Sequence, residues 1–231
     1  MTIPEASGQP IAEIQHLLRA LFGTIEPVAI VPASGRIGLE MLLRAAVLHR
    51  AAVLVRGGQG ETLARTAESL GKEVVRIVSA EDLPVDADQV ERFLSGPEMD
   101  ALLVELGSGT SGSPALLEQI GRLVRRRRGM VLVADATDTL GRMRIEMDRW
   151  GVDAVFAASD GALGLPPGLG LLAMSGRLLQ RLHGQAGRGR LLDPVAHQAA
   201  AVEGRLAAPV TTELLEALQR RLDELVSPRR P

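Results

Sequence analysis

Short, uninterrupted runs of β-branched and aliphatic residues recur along this chain, at 28–31, 51–55, 73–78, 101–104, 130–134, 152–156 and 169–173. Amphipathic stretches at 39–48, 61–70, 86–94 and 116–126 separate the first five. Apolar runs without polar alternation suit strands buried on both faces, and linkers of about three helical turns suit right-handed crossovers between parallel neighbours. The expected fold is α/β, a mostly parallel seven-stranded sheet flanked by helices. A helix over 11–22, ending at Gly23, precedes the first strand. After Met174 the strand pattern stops and helices are expected over 177–182, 194–203 and 212–226. The glycine-rich stretch 184–190 is the best linker candidate. The expected division is an N-terminal tail over 1–10, a main unit over 11–184, and a linker with C-terminal helices packing on it over 185–231.

At 231 residues and 46% hydrophobic content the chain can bury one sizeable core. Its formal charge is only −2, and the run Arg125 to Arg128 follows the helical pattern Leu116, Leu117, Ile120, Leu123, Val124. That run reads as a solvated helix C-terminus complementing the dipole, so no nucleic-acid partner is expected. There is no cysteine, which removes disulfides, thiolate nucleophiles and thiolate-bound metal. His16, His49, His183 and His197 lie on separate segments without ligand spacing, so no metal is expected. The first residues lack a basic start and an apolar h-region, and no uncharged apolar run is long enough to span a bilayer. The expectation is a cytoplasmic protein without a membrane partner.

Three segments could carry chemistry. Val31-Pro32-Ala33-Ser34-Gly35-Arg36-Ile37-Gly38 leaves a strand and opens a helix, so its N–H groups could face an anion. Gly57-Gly58-Gln59-Gly60 also follows a strand but reads as a tight turn. Neither has dinucleotide-binding spacing, and Lys72 stands in no Gly-Lys-Ser/Thr context. Asp135 ends a strand-like run, which puts a carboxylate at the carboxyl edge of a parallel sheet, where such folds gather ligands. It could face a cationic ring nitrogen, a metal or a phosphate cluster, or simply cap the turn Asp135-Ala136-Thr137-Asp138. No G-x-S-x-G elbow occurs, and Ser108-Gly109-Thr110-Ser111-Gly112 reads as a loop.

Taken in order, these segments resemble the class V aminotransferases of the pyridoxal-phosphate-dependent fold type I superfamily, in particular the alanine-glyoxylate type. The strongest stretch runs from Gly151-Val152-Asp153 through Ala158-Ser159-Asp160-Gly161-Ala162-Leu163 to Pro166-Pro167-Gly168-Leu169-Gly170. It is similar to the family's G-[IV]-D…G-S-Q-K-A-L…P-P-G-L-G. Asp135-Ala136-Thr137 resembles D-[AS]-V, Ser34-Gly35-Arg36…Glu40 resembles S-G-T-x-x-x-E, and Thr110-Ser111-Gly112 resembles the end of H-x-E-T-S-T-G. The resemblance implies the large domain of that fold, with the small C-terminal domain absent. It implies cofactor contacts at Ser34, Gly35, Arg36, Asp135, Thr137 and Ser159, with Asp135 pairing with the pyridine nitrogen.

The departures from the family pattern decide the functional expectation. Gly161 stands where the Schiff-base lysine belongs, so no catalytic residue is assigned and the expected state is catalytically silent as a transaminase. Gly109 and Leu63 replace a ring-hydroxyl partner and a stacking aromatic. Gly204 and Ala207 replace residues that reach a neighbouring subunit's phosphate, and Asp160 replaces the glutamine beside the lysine. Pyridoxal phosphate could then be held only noncovalently. The expected role is association, as a homo-oligomer or a hetero-oligomer with an aminotransferase relative. The alternatives are a pyridoxal- or pyridoxamine-phosphate enzyme whose amine comes from another subunit, and a binder of another phosphorylated small molecule.

Overall fold

The structure is a computed structural model and describes residues 8–55, 57–78, 85–107, 113–185, 189 and 191–226. The loop 108–112, with Gly109 and Thr110-Ser111-Gly112, lies outside the described residues, as do 1–7 and the chain end from 227.

In chain order the elements are α1 (Gly8–Phe22), β1 (Val28–Val31), α2 (Gly35–Ala46), β2 (Arg50–Val55), α3 (Gly57–Ser69), β3 (Glu73–Val78), α4 (Ala87–Leu94) and β4 (Ala101–Glu105). They continue as α5 (Pro114–Arg125), β5 (Val131–Asp135), α6 (Met147–Trp150), β6 (Ala154–Ala158), β7 (Gly170–Met174), α7 (Gly176–Leu182), α8 (Pro194–Val202) and α9 (Thr212–Val226). Local chemistry fixes several helix starts. Asp86 and Gln89 form a reciprocal capping box on α4. Ser113 and Asp193 cap α5 and α8 with proline in the first turn.

Two elements differ from expectation. The glycines at 57–60 are the first turn of α3 rather than a turn ahead of it, because Gly57, at φ 74°, redirects the chain straight from strand into helix. The single-turn α6, closed by Gly151 in the left-handed conformation, is too short to leave a periodic signal.

The strands form one sheet in the order β1-β7-β6-β5-β4-β2-β3. The pairings among β3, β2, β4, β5 and β6 are parallel, and β7 runs antiparallel to both of its neighbours. Register puts Glu105 opposite Asp135 and Asp135 opposite Phe156, so β4, β5 and β6 end together. Alternate strand residues feed two cores. Leu102, Leu132 and Val155 pack with α1, α5 and α9, while Leu103, Val133 and Phe156 pack with α2, α3 and α7. Burial on both faces explains why the strands other than the edge strand β3, which carries Glu73 and Arg76, read as unbroken apolar runs.

At the amino ends of the central strands Asp153 is 1% exposed. It accepts from Leu132 N at 2.8 Å, Ser175 Oγ at 3.0 Å and Arg177 Nε at 2.8 Å. The aspartate of Gly151-Val152-Asp153 is therefore a tie between β5, β6 and α7, at the end of the sheet away from Asp135. α8 packs along β1, where Gln198 Nε2 donates to Pro27 O at 2.8 Å. At the opposite edge Arg76 of β3 bridges Glu61 and Glu68 of α3.

Candidate functional site

A cavity of about 440 Å³ opens at the carboxyl ends of β4, β5 and β6, between the first turns of α2 and α3. Ser34, Gly35, Arg36 and Leu39 line one wall, Gln59 and Thr62 another, and Glu105, Asp135, Thr137, Asp138, Phe156, Ala158 and Asp160 the floor and rim. The parallel register that aligns the three strand ends is what brings these side chains together.

Asp135 and Thr137 form the centre of the floor. Asp135 Oδ1 accepts from Thr137 N at 2.9 Å and from Thr137 Oγ1 at 2.6 Å, and that hydroxyl accepts from Ala158 N at 3.2 Å. Burial pushes the Asp135 carboxyl above its ordinary value, and the two bonds from Thr137 pull it partway back. Beside it, Glu105 is raised to about 7, first by burial and then by the charges of Asp135 and Asp138. Asp138 is exposed and accepts from Gln59 Nε2 at 2.8 Å. Four carboxylates thus line the cavity against one guanidinium, that of the exposed Arg36, among the described residues.

Of the residues singled out in the sequence, Ser34, Gly35, Arg36, Asp135 and Thr137 meet at the cavity. Ser159 does not join them. It is fully buried, donates to Pro166 O at 2.7 Å and accepts from Leu169 N at 3.2 Å, so its hydroxyl stitches together the loop leading into β7. Leu63 is 3% exposed within the core, and the α3 side chains that reach the cavity are Gln59 and Thr62. Sequence reasoning missed Glu105, although the signal was the one that marked Asp135, a carboxylate closing an apolar run.

Gly161 is pinned between two strand ends. Ala162 N donates to Thr137 O at 2.7 Å, and Gly164 N donates to Gly161 O at 2.9 Å. A Cβ at 161 would stand 2.1 Å from Thr137 O and 2.5 Å from Thr137 Cγ2. The volume through which a side chain at 161 would leave the backbone is occupied by main chain. The chain's single lysine, Lys72, is half-buried at the amino end of β3, with Nζ donating to Leu48 O at 3.1 Å. It is at the opposite end of the sheet from the cavity.

Pyridoxal phosphate is the group the resemblance implies, and the cavity meets it unevenly. Asp135 suits a protonated ring nitrogen, and the first turn of α2 supplies backbone donors. No amine reaches the floor among the described residues, and the phosphate would meet carboxylates. The site does not fit the cofactor as a covalently held catalytic group. No group of three or more His, Cys, Asp or Glu side chains placed to hold a metal ion occurs among the described residues.

Comparison with known proteins agrees with this architecture. A family model described as "Aminotransferase class-V" matches residues 56–206. The chain is 27% identical over 215 residues to 2-aminoethylphosphonate–pyruvate transaminase 2 of Paraburkholderia xenovorans, covering 90% of this chain and 57% of that one. It is 27% identical over 182 residues to the alanine–glyoxylate aminotransferase of Oryctolagus cuniculus, covering 78% of this chain and 46% of the relative. Among solved structures, the alanine–glyoxylate aminotransferase from Nostoc sp. superposes with a TM-score of 0.83 at 23% identity, over 97% of this chain and 62% of that one. The subgroup IV aspartate aminotransferase of Thermus thermophilus superposes at 0.79 and 28% identity, over 96% of this chain and 62% of that one. The chain therefore spans about half to three fifths of the length of these relatives.

Proposed function

The chain belongs to the class V aminotransferase family, and we propose that it is a member silent as a transaminase that acts by association, with itself or with an active relative. The family is pyridoxal-phosphate dependent, and its chemistry requires an amine that bonds the cofactor and then moves a proton. One observation carries the proposal: the carbonyl of Thr137 lies 2.1 Å from where a Cβ at position 161 would begin, and the one lysine lies at the other end of the sheet. A positioned acid-base group alone contributes about 10²–10⁴ in rate, so a cavity without any amine loses that together with the covalent link. The preserved fold supports association as what remains once the transamination chemistry is lost. The formal net charge is −2, and no helix among the described residues is long and apolar enough to cross a membrane.

Noncovalent capture of a pyridoxal ring is the second reading, favoured by Asp135 alone. Incubation with pyridoxal phosphate, borohydride reduction and peptide mapping separates the two. The expected result is no adduct at any cavity residue, and no turnover of alanine or 2-aminoethylphosphonate with pyruvate or glyoxylate. An adduct inside the cavity, or turnover, would overturn silence. Native mass spectrometry showing only monomers, alone and mixed with an active family member, would overturn association.

A further inference from the structure

We propose that Asp160 sets the ligand preference of the cavity by guarding the first turn of α2 against phosphorylated ligands. α2 is a twelve-residue helix whose N-cap, Ser34, is extended and makes no side-chain bond to the turn, so the open N–H groups and the dipole favour an anion there. The end of β6 presses against that turn. A Cβ on Gly35 would stand 2.5 Å from Ala158 Cβ. Two residues further on, Asp160 Oδ1 lies 3.7 Å from the same point. The chain thus places its own carboxylate beside a turn that would attract a phosphate.

Asp138 adds charge of the same sign on another wall, joined by Asp135 and, above its raised value of about 7, by Glu105. The exposed Arg36 is the cavity's one cation among the described residues, against the carboxylates of Asp138 and Asp160. A dianionic phosphate on the α2 turn would sit within a few ångströms of Asp160. At such separations, even with water-like screening, each pair of like unit charges weakens binding by roughly fivefold to tenfold. This inference concerns what the cavity binds and holds whether or not the domain associates.

The test is calorimetric titration of pyridoxamine phosphate and of unphosphorylated pyridoxamine into the full chain, its Asp160→Asn variant and an Asp138→Asn control. Both probes lack an aldehyde, so neither can label Lys72. Asp160→Asn is expected to bind pyridoxamine phosphate on the order of tenfold or more tighter than the unaltered chain, with no gain for pyridoxamine and a smaller gain in Asp138→Asn. Equal affinity of the unaltered chain and Asp160→Asn, including no binding by either at millimolar probe, would overturn the proposal. So would an equal gain in Asp138→Asn, or the same gain for pyridoxamine. Asp160→Ser provides a second neutral variant should the asparagine form fold poorly.

Discussion

Substitution of Gly161 by alanine should destabilise the domain, although glycine-to-alanine changes at compatible sites usually stabilise by about 0.4–1 kcal/mol through the unfolded chain. The new methyl group would lie 2.1 Å from Thr137 O, so the two loops must part by about 1.3 Å to reach ordinary contact. That movement costs about 1–3 kcal/mol in overpacking. It also stretches the 2.7 Å bond from Ala162 N to Thr137 O, worth about 1 kcal/mol. After the unfolded-state gain the net loss is about 1–3.5 kcal/mol, which at about 3 kcal/mol per molar urea lowers the unfolding midpoint by roughly 0.3–1.2 M. Urea titration followed by circular dichroism measures it. Gly58→Ala is the matched control, because that exposed helical glycine has nothing within 4 Å of the added methyl and should match or exceed the unaltered chain. A Gly161→Ala protein as stable as the unaltered chain would refute the claim that main chain fills the lysine's path. By the same geometry Gly161→Lys should be no more stable than Gly161→Ala and should form no borohydride-reducible cavity adduct.

Glu105 supplies a pH signature. Its carboxyl is raised in the folded state to about 7 from an ordinary value of 4.5, so folding favours its protonated form. Its contribution is neutral below about pH 4.5 and increasingly unfavourable as pH rises through 7, on the order of 1–2 kcal/mol after solvent screening. Glu105→Gln should therefore unfold at higher urea than the unaltered chain at pH 8 and at the same urea at pH 4.5, and parallel curves at both would contradict this. Asp153→Ala strands the Arg177 guanidinium, the Ser175 hydroxyl and Leu132 N together. It should cost about 3–5 kcal/mol by urea unfolding, and a loss under 1 kcal/mol would show that Asp153 is not the tie described. Thr137→Val removes the hydroxyl between Asp135 and Ala158 N and should cost about 1–3 kcal/mol. Unchanged stability would count against that bridge.

What the sequence made legible follows from which interactions are local. The inner strands were readable because burial on both faces writes them as continuous apolar runs, the edge strand β3 because Val74, Val75, Ile77 and Val78 are β-branched, and α4 and α5 because their caps are adjacent residues. Asp135 was readable because it terminates such a run. The fate of Ser159 was hidden, since its partners, Pro166 O and Leu169 N, depend on how the loop into β7 folds back. The Gly151-Val152-Asp153 motif carried the family resemblance, yet the strand direction puts Asp153 at the far end of the sheet from the cavity. The collision awaiting a side chain at 161 was equally invisible, because it comes from a carbonyl 24 positions earlier that only the β5–β6 register brings near.

The treatment of the two outer strands bears on how copies of this domain could meet. α8 lies along β1, and β3 carries Glu73 and the doubly paired Arg76. Charged and covered rims of this kind discourage a foreign strand from docking by main-chain bonding. Any assembly would then have to form through helix faces and connecting loops instead of by extending the sheet sideways.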